Sequence, residues 1–354
     1  MLAADFILEP DDRILITGAT GFIGSRLVES LIALGFRNLR CFARPSSKPS
    51  RLASISQPRP DGVKIEIVTG NLLSREDCAL AVQGVKVIYH LAAGTGEKSF
   101  PDAYMNSVVT TRNLLDAAQA QGSLRRFVSI SSFAVYSNRN KPRRSVLDET
   151  CPVEARPELR GEAYCFAKAK QDELISEYGQ LHGIPWVILR PGYVYGPGKS
   201  SISGRIGLGT FGVFLHLGGS NPIPFTYVDN CADAIALAGL KPGVEGEIFN
   251  VVDDGVYTSG RFLRLYKRNV RSFRSLYLPH AVSYALCALW ENYSRWSQRQ
   301  LEPVFNRSCW HANWKKTHYS NRKIKERLGW TPRVSMAEGL QRYFNACRSE
   351  LPNA

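Results

Sequence analysis

The chain has no Cys-x-x-Cys pair and fewer acidic than basic residues. Its eight cysteines (Cys41, Cys78, Cys151, Cys165, Cys231, Cys287, Cys309, Cys347) are scattered. That pattern argues against a disulfide frame or zinc site and for free thiols in a reducing cytoplasm. Residues 1–12 carry Asp5, Glu9, Asp11 and Asp12, unlike the basic-then-apolar start of a secreted precursor. The stretch Ser275 to Trp290 is uncharged but broken by Pro279 and His280, and it falls short of the roughly 20 apolar residues of a spanning helix. No Gly-X-Y period or heptad run points to a fibre. With 354 residues, 44% of them hydrophobic, the expectation is a cytoplasmic globular protein of two domains.

The deficit of acids is uneven. From Arg261 to Arg327 there are 15 Lys or Arg against three acids, and five of the six tryptophans lie at or beyond Trp290. No helix-turn-helix, zinc-finger or RNA-binding signature accompanies this charge, so no specific nucleic-acid partner is expected. His311 and His318 lack metal-ligand spacing, and no metal site is expected.

What is present is alternation. Short β-rich runs at Arg13–Thr17, Leu39–Ala43, Lys64–Val68, Val85–His90, Arg126–Ser131 and Trp186–Leu189 are interleaved with helical periodicity. The helices are read over Phe22–Leu34, Thr110–Gln121 and Tyr164–Tyr178. This predicts an α/β protein, a Rossmann-type doubly wound parallel sheet, with a smaller and partly helical C-terminal substrate domain. Residues 1–190 form the expected dinucleotide domain, with returning segments near 225–255. Residues 191–354 mainly bind substrate and include the basic, Trp-rich tail.

Between the first strand and first helix stands Thr17-Gly18-Ala19-Thr20-Gly21-Phe22-Ile23-Gly24. Glycines there let backbone N–H groups approach a pyrophosphate, and the helix presents its positive end to it. After the second strand, a carboxylate would bind the ribose hydroxyls of NAD. None occurs between Glu29 and Asp61, whereas Arg44, Ser46, Ser47 and Lys48 do. A guanidinium with hydroxyls suits a 2′-phosphate, so NADP is favoured over NAD.

Tyr164 and Lys168 are four apart on a predicted helix and share a face. A tyrosine is a poor base at neutral pH, and a nearby ammonium would favour its phenolate. Ser129, Ser131 and Ser132 end the fifth strand, where hydroxyls face the ligand crevice of an open α/β sheet. Either pattern alone is common on exposed helices and serine-rich loops; together they suggest a site.

In this order the motifs resemble the extended short-chain dehydrogenase/reductase superfamily, in its epimerase/dehydratase branch. The resemblance runs from Arg13 to about Phe344. It rests on the glycine string, Gly70-Asn71-Leu72, His90-Leu91-Ala92-Ala93, Asn106 ahead of Thr111-Arg112-Asn113, Ser131-Ser132, Tyr164-x-x-x-Lys168 and Arg190-Pro191-Gly192-Tyr193-Val194-Tyr195-Gly196-Pro197-Gly198. It implies that Tyr164 is the acid/base, that Ser132 holds the reacting oxygen and that Lys168 binds the nicotinamide ribose. It further implies that Gly18, Thr20, Gly21, Phe22, Ile23, Gly24, Arg44, Asn71, Leu72, Ala92, Ala93, Asn106 and Pro191 lie along the dinucleotide, with Asn71 where an aspartate is usual.

The expected activity is reversible hydride transfer at a secondary alcohol or ketone carbon of a small molecule. The segment Thr226-Tyr227-Val228-Asp229-Asn230 resembles 3β-hydroxysteroid dehydrogenases, which implies a hydrophobic substrate. The alternative is a nucleotide-sugar 4-epimerase holding NAD tightly, and a second is a non-catalytic dinucleotide sensor. A 4,6-dehydratase would carry Asp-Glu after the catalytic hydroxyl, where this chain has Phe133-Ala134. A homodimer is implied by the superfamily. The run from Tyr277 to Trp290, flanked by Arg271, Arg274, Arg295 and Arg299, has the makings of a peripheral membrane helix. The expectation is nevertheless that its apolar side packs inward.

Overall fold

The computed structural model describes residues 6–47, 62–94, 96, 99–142, 144–297 and 305–350. Lys48 and Arg299 lie outside the described residues. The first strands are β1 (Arg13–Thr17), β2 (Asn38–Ala43), β3 (Lys64–Thr69), β4 (Val85–His90) and β5 (Arg126–Ile130). A two-residue strand, β6 (Val146–Leu147), is followed by β7 (Trp186–Pro191), β8 (Tyr193–Tyr195), β9 (Gly207–Thr210) and β10 (Val213–His216). Then come β11 (Phe225–Tyr227), β12 (Glu247–Val251), β13 (Ser275–Tyr277) and β14 (His318–Tyr319). Seven of them form one parallel sheet in the order β12-β7-β5-β4-β1-β2-β3.

Helices cover this sheet: α1 (Gly24–Ala33), α2 (Arg75–Val82), α3 (Phe100–Tyr104), α4 (Thr110–Gln121), α5 (Ala163–His182) and α6 (Val228–Leu240). Strands buried on both faces read as continuous apolar runs. Ile14, Leu15 and Ile16 of β1 and Val85, Val87, Ile88 and Tyr89 of β4 accordingly have no exposed surface. The chain winds outward in both directions from β1 and β4, so the ligand crevice opens at their carboxyl ends.

The C-terminal part contributes α7 (Ser259–Asn269), α8 (His280–Trp296), α9 (Arg307–Asn313), α10 (Arg322–Leu328) and α11 (Met336–Ser349). Trp310, Trp314 and Trp330 are core residues there. The buried Lys315 amine donates to Asn138 O at 2.6 Å, and Asn306 Nδ2 donates to Arg160 O at 2.8 Å. The tail is thereby fastened to the loops around the carboxyl end of β5. All eight cysteines are buried and unpaired.

One expectation fails. The apolar side of α8 does not pack inward: Ser283, Cys287 and Ser294 face the protein, while Val282, Leu286, Leu289, Tyr293 and Trp296 are exposed. The reason is volume. Trp310 and Trp314 fill the space beneath the helix beside Leu217 and Cys287, and Trp310 Nε1 donates to Ser283 Oγ at 2.9 Å. Large rings from α9 require small residues on the facing side of α8. Among the described residues no helix is long and apolar enough to cross a membrane.

Candidate active site

The glycine string joins β1 to α1 and packs against the end of β4. Gly18 has φ +73°, and a Cβ there would lie 2.9 Å from Ala92 N. A Cβ on Gly24 would run into the Gly18 carbonyl. Both glycines therefore hold the turn against its own protein. Gly21 is different: a Cβ on it would meet only Gly18 O, at 3.0 Å. Thr20, Phe22 and Ile23 flank it, all half-buried. The open side of this turn, at the start of a helix, is a cradle of the kind that accepts a pyrophosphate. These residues fit a dinucleotide.

Beneath the cradle runs a buried hydrogen-bond chain that assigns its own protons. Thr111 Oγ1 donates to Ser107 O at 2.5 Å and accepts from Gln171 Nε2 at 2.7 Å. Its contact with His90 Nε2 at 2.9 Å must then be a second acceptance, because a threonine hydroxyl has one proton. His90 is thus protonated on Nε2, and its Nδ1 accepts from Thr17 Oγ1 at 2.8 Å. Thr17 Oγ1 in turn accepts the Ala92 N–H at 3.2 Å. Burial, with Lys168 nearby, lowers the His90 pKa to about 3, so this ring is neutral. Sequence reasoning missed Thr17, Thr111 and Gln171 as a set. Their signal was polar residues ending an apolar strand or lying on an inward helical face.

Helix α5 crosses the carboxyl ends of β5 and β7 with Tyr164, Lys168, Gln171 and Asp172. The Lys168 ammonium donates to Ile130 O at 2.5 Å and to Gln171 Oε1 at 2.8 Å. Asp172 Oδ2 accepts from Ser131 Oγ at 2.9 Å and from Arg190 Nη2 at 2.9 Å. Burial lowers the Lys168 pKa to about 8, with Asp172 opposing. Ser132 Oγ accepts the Ala134 N–H at 3.1 Å, which leaves the hydroxyl proton to donate elsewhere. The Ser132 hydroxyl also hydrogen-bonds Tyr164.

Tyr164 departs from the expectation of a pKa lowered by its lysine. Burial raises it, and the opposing contact is Ser132. The lysine is engaged by a strand carbonyl and a glutamine instead. The phenol is therefore protonated at neutral pH, ready to donate to a developing alkoxide.

The remaining residues named from sequence occupy several depths. Arg44 is exposed at the end of β2. Asn71 Oδ1 accepts the Leu73 N–H at 3.0 Å, so the acceptor is committed to its own turn and the amide N–H₂ remains as donor. Leu72 and Pro191 are buried, and Ala92 and Ala93 are half-buried. Asn106 is exposed in a π-helical turn, Met105–Val109. Among the described residues no cluster of His, Cys, Asp or Glu suits a metal.

A family model, "NAD dependent epimerase/dehydratase family", matches residues 14–251. The chain is 28% identical to the UDP-glucose 4-epimerase of Mycolicibacterium smegmatis, covering 96% of this chain and 99% of that one. It is 27% identical to the decarboxylating sterol-4-alpha-carboxylate 3-dehydrogenase of Saccharomyces cerevisiae, covering 94% and 96%. It spans 36% of the length of two trifunctional dehydratase/epimerase/reductase relatives from Arabidopsis thaliana. In fold it is similar to the UDP-glucuronic acid 4-epimerase of Bacillus cereus in complex with NAD. That match has a TM-score of 0.70 and 21% identity, over 95% of this chain and 99% of the other.

Proposed function

The chain belongs to the NAD dependent epimerase/dehydratase family, and on that premise we propose that it catalyses reversible hydride transfer at a secondary alcohol carbon of a nucleotide sugar, as a 4-epimerase. The observation carrying this reading is the meeting of Ser132, Tyr164 and Lys168 at the carboxyl end of β5, two strands from the glycine cradle. A full-length epimerase relative supports the substrate class. Elimination of water is disfavoured, because buried Phe133 and half-buried Ala134 follow Ser132 and neither side chain can move a proton.

In this proposal the turn around Gly21 and the start of α1 hold the pyrophosphate, and Lys168 holds the ribose beside the nicotinamide. When bound, the dinucleotide supplies a hydride acceptor and donor. Tyr164 exchanges the proton of the substrate hydroxyl, and Ser132 donates a hydrogen bond to the same oxygen as charge builds on it. Gln171 keeps Lys168 oriented.

A second reading has its own support: a dehydrogenase acting on a hydrophobic 3-hydroxy substrate with exchangeable NADP. It draws on the sterol dehydrogenase relative and on exposed Arg44, with no acid between Glu29 and Asp61. The experiment that separates the two is to denature purified protein and quantify released dinucleotide, then follow UDP-glucose and UDP-galactose by NMR. Near-stoichiometric NAD with interconversion supports the epimerase. Empty protein that binds NADPH reversibly and leaves both sugars unchanged overturns it in favour of the dehydrogenase.

A further inference from the structure

The stripe exposed on α8 follows a strict helical repeat. Val282, Leu286, Leu289, Tyr293 and Trp296 are spaced by four, three, four and three residues, which places them on one side of the helix. Trp296 is 79% exposed and Leu289 is 65% exposed. The rings of Trp290, Tyr293 and Trp296 follow one another with centroids 6.3 and 5.8 Å apart. Leu276 and Tyr277 of β13, just before the helix, are exposed as well. A contiguous apolar face of this kind on a folded protein marks an interaction surface.

We infer that this face docks flat on an anionic lipid bilayer. The first argument is composition: tryptophan and tyrosine interleaved with leucine is the pattern of the membrane interface, where an amphipathic ring has one wet end. The second is charge. The segment leading into the face, Arg261 to Arg274, carries six Lys or Arg and no acid. Arg261, Arg264, Arg268, Arg271 and Arg274 are exposed, and each such charge near an anionic surface adds to the attraction. The third is depth. With 17 residues, and its serines and cysteine committed to the protein, α8 lies in an interface and does not span one.

A neighbouring turn repeats the theme. Phe211 joins β9 to β10 with φ +45° and a wholly exposed ring. It is three residues from Phe214, whose N–H donates to Arg274 O at 3.0 Å. A second copy of the chain is the poorer occupant, since pairing these faces would bring two basic segments together.

The test uses the full-length protein with vesicles of phosphatidylcholine alone or with roughly 30% phosphatidylglycerol, at about 0.15 M salt. Wild type is expected to sediment with the anionic vesicles only. Leu289→Ser/Trp296→Ser should bind them at least about tenfold more weakly, as should Arg271→Glu/Arg274→Glu. Both variants should keep wild-type melting and dinucleotide affinity, because every changed side chain is exposed. Wild type remaining in the supernatant, or the apolar variant sedimenting like wild type, overturns the inference. So does a lipid-free dimer that the apolar variant converts to monomer, which assigns the face to a second copy.

Discussion

Gln171 accepts the Lys168 ammonium at 2.8 Å and donates its own amide proton to Thr111 at 2.7 Å. One side chain thereby couples the lysine beside the catalytic tyrosine to the neutral His90 and, through Thr17, to the backbone at Ala92. The catalytic helix and the glycine cradle are braced by a single buried polar chain. Each group in it is committed, which makes the chain rigid and costly to break. Replacing Gln171 by Leu should lower stability by about 1–3 kcal/mol, the cost of orphaning buried partners, and should reduce kcat more than it changes KM. Thermal melting with steady-state kinetics checks this; unchanged kcat at normal stability would remove the positioning role.

Lys168 sets a pH limit. Its folded pKa lies near 8, below the usual lysine value, so the amine is charged below that pH and neutral above it. Activity that needs the ammonium should fall as pH rises through about 8. Tyr164 is shifted upward and His90 to about 3, so neither produces a limb in that window. In Lys168→Arg the cation persists, because a guanidinium does not titrate there. Its turnover should be lower but flat through pH 8. A limb near 8 that survives the substitution would assign it to another group.

Tyr164→Phe removes the phenol hydroxyl that hydrogen-bonds Ser132. Turnover should fall by at least about 10²–10⁴-fold, the usual range for a lost acid/base. Dinucleotide affinity should stay within a few-fold. Near-wild-type turnover would sink the assignment, and rapid kinetics with titration calorimetry reads both quantities.

The fold was legible because apolar runs of five or six residues alternate with helical periodicity. β1, β4 and α4 have the bounds read from sequence, and α5 runs on from Tyr178 to His182, where Gly183 adopts φ +66°. The glycine turn and the Ser132, Tyr164 and Lys168 set were legible because each needs a particular residue type at a fixed offset. Two features were not. The partner of Lys168 depends on which rotamer reaches Ile130 and Gln171, which spacing does not determine. The orientation of α8 depends on Trp310 and Trp314, 14 and 18 residues beyond its last residue Trp296, and local amphipathicity is blind to a competitor for the same space.

Arg44 stands exposed where β2 ends, and in the NADP-dependent reading proposed above its guanidinium would hold the 2′-phosphate. Arg44→Ala should weaken NADP by about ten- to a hundredfold, the worth of a charge-assisted hydrogen bond, while NAD changes little. Equal losses for both dinucleotides, measured by calorimetry or fluorescence, would remove the argument for the NADP-dependent dehydrogenase and strengthen the proposal of an NAD-holding epimerase.

Gly18 and Gly21 belong to one motif but should fail differently when replaced by alanine. At Gly18 the new methyl meets Ala92 N at 2.9 Å with φ at +73°, so Gly18→Ala should cost about 1–3 kcal/mol of stability, the usual range for a strained backbone site. Dinucleotide affinity should fall along with it. At Gly21 the methyl meets only Gly18 O, at 3.0 Å, and φ is unremarkable. Gly21→Ala should therefore melt close to wild type and lose affinity mainly because the methyl projects into the cradle. Melting curves with and without saturating dinucleotide separate the two effects. If Gly21→Ala binds as wild type does, the open side of the turn is not where the pyrophosphate sits; if Gly18→Ala melts normally, the packing of β1 against the end of β4 has slack that its close contacts do not suggest.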